Sequence, residues 1–435
     1  MDNEYELRLR AIDLAEAGWS TGSIAQELDR SSRWVRKWVR RYETGGETGL
    51  EDRSRRPKHS PNRLSEPVRV EILRIRAELK GHRHANVGAK AIRAKMRRTG
   101  TVDEIPSIAS IKRVLKDAGV TRTYRTKHRS TKSVLGLPTV TRGGIWQQAD
   151  WVQDRYLPGA VKYQSLQISD AGSDMVSSDQ YYHRTIYNAV HQLTGQAWPT
   201  MSIPYATGTD NAFARSSHRD IPWTLWVKIL LMFGVEVIVS PPNTLGFTNH
   251  VENINGLWQD RTINRWHYNT LEELRADTAR FVDWANNERS ILNEDIYNTE
   301  YPAEHIANIT DQLRWLPDGF DLDTYIGPGG TNTLPLAKGR VTFLRHIDEH
   351  HTITIAQHHW HVPNSLPQGA LVIAGIDTAT GQLTIRHQGD TVWRHRYPME
   401  TAVLDPIHPA TQTGLLDHLP PTPNPPQPSK TGTMS

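Results

Sequence analysis

Three acidic residues on separate predicted elements have the types and spacing to perform metal-dependent chemistry. Asp150 closes a strand-like run that begins at Trp146, and Asp210 follows the strand-like run Met201–Tyr205. Glu252 opens an amphipathic helical run. Carboxylates brought together form a cage for hard divalent cations, which prefer oxygen ligands. Because two such cations can activate an attacking oxygen and stabilise a leaving one at phosphorus, the pattern predicts metal-dependent phosphoryl transfer.

Length and composition limit the classes of protein that can carry this site. A chain of 435 residues is too long for one ordinary domain and predicts about three. The chain has no cysteine, which excludes disulfides, Cys-based zinc sites and thiol catalysis, and suits a reducing cytoplasm. The most apolar run, 221–239, is interrupted by Lys228, Gly234 and Glu236, so no membrane span is predicted. We therefore expect a cytoplasmic protein of several domains.

The small net charge of +4 hides a strong asymmetry along the chain. Residues 1–149 contain 32 Lys and Arg against 17 Asp and Glu, a net charge of +15. The remaining residues have a net charge of −11. A basic first third joined to an acidic remainder predicts a polyanionic partner for the first third.

The first 50 residues predict a helix-turn-helix unit. A short helix over 23–28, a tight turn and a basic helix over 32–42 follow a first amphipathic helix over 5–17. In this motif the last helix enters the major groove of DNA. The cations of the last helix are therefore the candidate DNA contacts: Arg33, Arg36, Lys37, Arg40 and Arg41.

A second helix-turn-helix unit is predicted over 66–120, with helices over 68–80, 87–98 and 107–117. Its last helix places Lys112, Arg113 and Lys116 on the face opposite its apolar residues, so these three are further candidate DNA contacts. The segments 51–65 and 121–144 are basic and lack apolar periodicity, and both are predicted to be linkers.

From residue 145 the pattern changes to that of a mixed α/β core over 145–290. Three strands are followed by alternating helices and strands, which favours a mixed sheet. The predicted strands are 146–152, 163–169, 173–176, 201–205 and 235–239, and the predicted helices are 182–194, 221–233, 247–267 and 270–289.

The rest of the chain is predicted to form an irregular connector, a small barrel and a tail. Residues 291–337 lack periodicity, and 338–404 contain five short β-rich runs, enough for a small five-stranded all-β barrel. Residues 405–435 are rich in Pro and Thr and are predicted to be disordered. An apolar island in this tail, 414–419, could dock on a partner such as a helper protein.

The order and surroundings of the three acids resemble the catalytic core of retroviral-integrase-like DDE transposases from bacterial insertion sequences. The first Asp follows Trp146-Gln-Gln-Ala, the second stands in Thr209-Asp210-Asn211, and the Glu follows a Pro- and Asn-containing loop, as in that family. The chain departs from the family at Ala212, where the family has Gly, and at Asn253, where it has Arg. A phosphate contact that the family makes with that Arg would have to come from His250 or Arg261.

The resemblance covers nearly the whole chain except the tail and implies both fold and chemistry. It implies a ribonuclease-H-like core in which Asp150, Asp210 and Glu252 are the catalytic residues and the ligands of two Mg²⁺ or Mn²⁺ ions. It also implies helix-turn-helix units before the core, an SH3-like barrel after it, a homo-multimer on double-stranded DNA and a location at the bacterial nucleoid.

The sequence therefore predicts a DNA transposase that binds element ends, cleaves a strand and transfers it to target DNA. Two alternatives remain open. The chain could be a DNA-binding repressor with an inactive core, or a metal-dependent nuclease without strand transfer.

Overall fold

The computed structural model describes residues 3–52, 64–121, 140–214, 223–242, 247–290, 301–326, 334–356, 358–408 and 414–416. It divides into two compact units, Met1–Leu64 and Ser65–Ser435. The linkers predicted over 51–65 and 121–144 lie almost entirely outside the described residues. No helix in the described ranges is both long enough and apolar enough to cross a membrane.

The first unit is a bundle of three helices, α1 (Asn3–Glu16), α2 (Thr21–Glu27) and α3 (Ser32–Gly45). Ser20 and Ser31 cap α2 and α3, since each hydroxyl accepts a hydrogen bond from a backbone N–H of the helix that follows. Trp38 of α3 is buried, and the guanidinium of Arg8 lies 4.0 Å from the centre of its ring. The predicted three-helix arrangement is confirmed.

The second unit begins with three more helices, α4 (Glu66–Gly81), α5 (Ala89–Thr99) and α6 (Ile108–Asp117). The Ser107 hydroxyl caps α6, accepting from the Ser110 N–H at 3.2 Å. The apolar faces of the three helices pack together, and Ile75, Ile92 and Ile111 are fully buried between them.

The remaining helices of the second unit surround or follow the sheet. They are α7 (Ile186–Gln192), α8 (Trp198–Met201), α9 (Asn211–Ala214), α10 (Leu225–Met232), α11 (Asn249–Arg261), α12 (Leu271–Asn287), α13 (Pro302–Asn308) and α14 (Asp323–Ile326). The prediction that the connector over 291–337 is irregular is wrong for α13 and α14. These helices are only one to two turns long, and so short an element carries little periodicity to detect.

The strands of the second unit are β1 (Trp146–Leu157), β2 (Val161–Asp170), β3 (Val176–Tyr181), β4 (Ala206–Thr209), β5 (Glu236–Val239), β6 (Arg340–His346), β7 (Thr352–Ile355), β8 (His358–His361), β9 (Leu371–Asp377), β10 (Gln382–His387) and β11 (Asp390–Arg396). Nine of them form one sheet in the order β11-β10-β9-β6-β5-β4-β1-β2-β3, and β7 pairs with β8. Strands β1, β2 and β3 are antiparallel, whereas β1, β4, β5 and β6 are parallel neighbours. A mixed α/β core is thereby confirmed.

Two predicted strands are misplaced. The fourth strand was predicted over 201–205, but Met201 ends α8, and Ser202 has a φ of 70° that breaks the extended run. The strand begins at Ala206, so Asp210 follows it immediately. The third strand, predicted over 173–176, runs instead from Val176 to Tyr181, because the residues before it form a turn.

A separate SH3-like barrel is not confirmed. Strand β6 pairs in parallel with β5, Val237 being opposite Val341, and β9, β10 and β11 continue the sheet from β6. The five runs predicted in this region all contain strands. Four of these strands, β6, β9, β10 and β11, continue the core sheet, whereas β7 pairs with β8. Local sequence shows where a strand lies and not which distant strand it pairs with, so the prediction could not see this connection.

The described part of the tail is ordered and packs on the core. The backbone N–H of Gly414 donates to the Glu236 carboxylate at 2.7 Å, and Leu416 is only 1% exposed, beside Trp146 and Phe247. The predicted disorder of 405–435 therefore does not hold for 414–416. A helper protein docking on this island is not supported either, since its described residues already pack on this chain.

This docking gives a prediction for truncated chains. A chain ending at residue 408 should melt several degrees below a chain ending at residue 419, because only the longer one keeps the buried Leu416. Loss of a buried leucine costs about 2–5 kcal/mol. Leu416→Ala in the full chain should reproduce most of the loss. Equal melting temperatures for the two truncated chains, measured by calorimetry, would contradict a stabilising role for the docked segment.

Candidate active site and DNA-binding surfaces

The parallel pairing of β1 with β4 brings the first two acids together. Gln148 of β1 is opposite Gly208 of β4, the last pair between these strands, and Asp150 and Asp210 each lie two residues further along. The two carboxyl groups are close enough for the charge of Asp210 to act on Asp150. Trp146 packs closely over Gly208, where an added Cβ would lie 2.9 Å from the indole nitrogen. A side chain at position 208 would therefore push the two strands out of this arrangement.

Helix α11 places Glu252 at the same edge of the sheet. The Gln148 side chain fixes the start of the helix on β1, donating to the Phe247 carbonyl at 3.3 Å and accepting from the Val251 N–H at 3.1 Å. Asn255 donates from Nδ2 to Oδ2 of Asp150 at 2.8 Å. Because Asn255 is three residues after Glu252, the two side chains share one face of α11.

The negative charges of Asp210 and Glu252 both act on the carboxyl group of Asp150. The pKa of Asp150 is raised to about 6. Burial is the largest cause and the negative charges of Asp210 and Glu252 add to it, while the Asn255 hydrogen bond and the Arg184 charge oppose it. Arg184 also forms an ion pair with Asp210, at 3.4 Å. Asp150 is thus a carboxylate whose negative charge is unfavourable unless a cation lies nearby.

The donor set fits a hard divalent cation, although the side chains do not stand in a finished coordination shell. Within the described ranges, no three His, Asp or Glu side chains lie close enough to count as a metal-binding group. Three carboxylates that repel one another without a cation are expected to stand apart. Oδ1 of Asn255 is buried and has no hydrogen-bond partner among the described residues, so an unused oxygen faces the same region.

Other acids near the site have structural roles. Asp170 is fully buried and accepts hydrogen bonds from the backbone of Gly144, Gly172 and Ser173, which makes it the centre of a turn. Asp154 lies farther along β1 and pairs with Lys162 at 2.5 Å. Neither acid is placed with the three candidate ligands.

The two residues considered as replacements for the missing arginine have other partners. His250 lies between Ser169 and Asp174, with its ring nitrogens 3.0 and 2.7 Å from their side-chain oxygens. Arg261 donates to the carbonyl of Ala85 at 2.9 Å. Sequence reasoning also missed Arg184 and Asn255. The helical spacing from Glu252 could have suggested Asn255, whereas no local signal marks Arg184.

The candidate DNA-binding cations of the first unit lie on α3. Arg33, Arg36, Lys37 and Arg40 have exposed side chains. Arg41 differs, because it donates to the Glu51 carbonyl at 2.7 Å and its guanidinium lies 4.4 Å from the centre of the Trp38 ring. Four of the five predicted cations therefore face solvent, while Arg41 is directed back into its own unit.

The second helix-turn-helix unit, α4–α6, exposes its candidate cations and packs against the core. Lys112, Arg113 and Lys116 of α6 are exposed. On the core side, the fully buried Asp277 of α12 lies 2.7 Å from the Arg83 guanidinium and 3.3 Å from the imidazole of His84. The contacts from α4–α6 therefore reach α12, and through Arg261 they also reach α11, the helix that carries Glu252.

Comparison with known proteins identifies the helical units directly. Two family models described as homeodomain-like domains match residues 2–51 and 34–115. These matches confirm the predicted helix-turn-helix N-terminus. The search among curated proteins gave no match.

Several solved structures are similar to the chain at low identity. The HTLV-2 integrase catalytic core domain in complex with magnesium, in its dimeric form, is 15% identical, with 35% of this chain and 92% of that one covered and a TM-score of 0.26. The simian T-cell lymphotropic virus intasome in complex with PP2A regulatory subunit B56 gamma is 14% identical, with 68% and 91% covered and a TM-score of 0.32. The BIV integrase catalytic core domain is 13% identical, with 39% and 98% covered and a TM-score of 0.29. These are integrases, the class that the sequence resemblance named, but overlaps of this size assign no function to the chain.

Proposed function

We propose that this chain is a DNA transposase that binds the ends of a mobile element and catalyses metal-dependent strand cleavage and strand transfer. The observation that supports the proposal is that the charges of Asp210 and Glu252 both act on the Asp150 carboxyl group, at the sheet edge where Asp150 and Asp210 each follow the last β1–β4 pair by two residues. The exposed cations of α3 and α6, on helix-turn-helix units, support DNA as the substrate.

In this proposal Asp150, Asp210 and Glu252 hold two Mg²⁺ or Mn²⁺ ions. When bound, such ions activate an attacking oxygen and stabilise a leaving oxygen at phosphorus. Asn255 orients Asp150 through its 2.8 Å hydrogen bond, and Arg184 offsets part of the negative charge at Asp210. The same site serves both steps, first with water and then with the 3′-hydroxyl of the cleaved strand as the attacking group. Because two ends must be joined to one target, we expect a homo-multimer on DNA.

The test is an assay of the purified full chain on an end-containing duplex, with the end sequence taken from inverted repeats that flank the gene. We expect nicking and then joining to plasmid DNA in Mg²⁺ or Mn²⁺, loss of both in EDTA, and binding without turnover in Ca²⁺. Nicking without joining of a pre-cleaved end would identify a nuclease. Specific binding with no nicking in any metal would identify a repressor with an inactive core.

A further inference from the structure

A buried arginine lies directly behind the candidate active site. Arg345 of β6 is 5% exposed. Its guanidinium donates from Nη2 to the Asn211 side-chain oxygen at 2.6 Å, from Nη1 to the Ser240 carbonyl at 2.9 Å and from Nε to the Thr354 carbonyl at 2.7 Å. One side chain therefore connects three separate parts of the chain.

Two of these partners lie beside the candidate metal ligand Asp210, one in sequence and one through strand pairing. Asn211 follows Asp210 and begins α9, where the Ala212 N–H also donates to the Asp210 carboxylate at 2.9 Å. Ser240 follows the last residue of β5, and its backbone N–H donates to the carbonyl of Thr209, the residue before Asp210, at 2.9 Å. Arg345 thus contacts the residue after Asp210 and a residue that is hydrogen-bonded to the one before it.

The chemistry of this contact is unusual for a buried cation. In the described part of the chain, the hydrogen bonds of the Arg345 guanidinium all go to uncharged oxygens, and burial lowers its pKa to about 10. Burying a charge without an opposite charge is costly. The planar fork of arginine directs several donors at fixed angles, which a lysine or an apolar side chain cannot do. The position therefore depends on the geometry of the guanidinium group.

We propose that Arg345 is a positioning residue for the metal-dependent reaction, holding the Asp210 segment where metal binding requires it. This inference rests on the proposed function. Arg345 itself touches neither substrate nor metal in this proposal. It acts through Asn211 and through the Ser240 carbonyl.

The first test is Arg345→Lys, which keeps the charge and removes the fork. We expect joining of a pre-cleaved end to slow roughly ten- to hundredfold, because small displacements of catalytic groups have effects of this size. Arg345→Lys should also need a higher Mn²⁺ concentration for half-maximal joining, while its affinity for end DNA stays unchanged. The matched control is Arg394→Lys on the exposed face of β11, which should leave both quantities at wild-type values.

A second variant separates positioning from simple destabilisation. Asn211→Ala removes the side-chain acceptor without touching Arg345, and it should also raise the Mn²⁺ requirement. Since the two residues act through one hydrogen bond, the double variant should be much less impaired than the product of the two single effects. If the effects of the two single variants multiply fully in the double variant, the proposal is overturned. It is also overturned if Arg345→Lys melts at a lower temperature but keeps the wild-type Mn²⁺ requirement.

Mn²⁺ binding without DNA, measured by electron paramagnetic resonance, distinguishes failure of the Arg345 positioning proposal from failure of the proposed transposase function. If the wild-type chain binds Mn²⁺ and Asp210→Asn does not, but neither cleaves DNA, the transposase proposal fails. Weaker Mn²⁺ binding by Arg345→Lys would then still support positioning. Unchanged Mn²⁺ binding by Arg345→Lys would overturn it.

Discussion

Asp150→Asn, Asp210→Asn and Glu252→Gln are each expected to remove strand cleavage and strand joining together, by about three orders of magnitude or more. Each substitution keeps the size of the side chain and removes the charge that holds the cations. The cations stabilise the transition state by several kcal/mol, and each loss of about 1.4 kcal/mol slows the reaction tenfold. The measurement is joining of a pre-cleaved end to plasmid DNA by each variant. Substantial joining by Asp210→Asn or Glu252→Gln would disprove the three-carboxylate assignment.

Two controls separate lost chemistry from lost folding. Asp154→Asn should be nearly silent, because that acid pairs with Lys162 away from the candidate ligands. Asp150→Asn should melt no lower than the wild-type chain in metal-free buffer at neutral pH. The raised pKa of Asp150 means that its ionised form opposes folding above that pKa, and the amide removes this charge. A clear drop in its melting temperature would mean that Asp150 is a stabilising residue and that its activity loss proves nothing.

Charge reversal on α3 should abolish specific DNA binding. The triple substitution Arg36→Glu, Lys37→Glu and Arg40→Glu is expected to weaken affinity for end DNA at least about a hundredfold, since base contacts are worth about 1–3 kcal/mol each. Affinity should also fall less steeply with salt, because fewer counterions are released on binding. The measurement is a titration of labelled end duplex at several salt concentrations.

The full chain is the right material for that titration. The second helical unit is held on the core by Asp277, so a fragment without the core would lose the partner of Arg83 and His84. Arg10→Glu, an exposed substitution on α1, is the control for adding negative charge to the same unit. Because Lys37 lies 4.6 Å from the Trp38 ring centre, the melting temperature of the triple variant should be checked. If end and random duplexes bind equally well to the wild-type chain at every salt concentration, α3 does not read sequence.

Much of the local structure could be predicted because it is written in local patterns. Several local features mark elements close to those observed. They are the capping serines Ser31 and Ser107, the apolar periodicity of the six N-terminal helices and the apolar run of β5. Strand β4 was misplaced because its residues are small and carry little strand signal. Gly208 has no side chain because the Trp146 indole packs directly against it. A propensity argument cannot anticipate a strand whose sequence is set by the side chain packed over it.

The candidate site was predictable only in part for the same reason. The three acids could be named from their settings, and the helical spacing from Glu252 could have suggested Asn255. Arg184 becomes visible only when the chain after β3 is placed against β1. Arg345 is farthest from prediction. It lies 135 residues after Asp210 and reaches Asn211 only because β6 pairs with β5. Contacts of that kind depend on topology, which no short stretch of sequence contains.

The nine-stranded sheet has a consequence for how this architecture can change. Strands β6, β9, β10 and β11 are not a module on a linker that could be exchanged with another protein while the core stays intact. Their removal would expose the edge of β5 and take away Arg345, and with it the hydrogen bonds to Asn211 and Ser240. Gene shuffling in this region would therefore have to transfer the core and the C-terminal strands together. Unit 1, Met1–Leu64, forms a compact unit of its own and is the natural point of exchange.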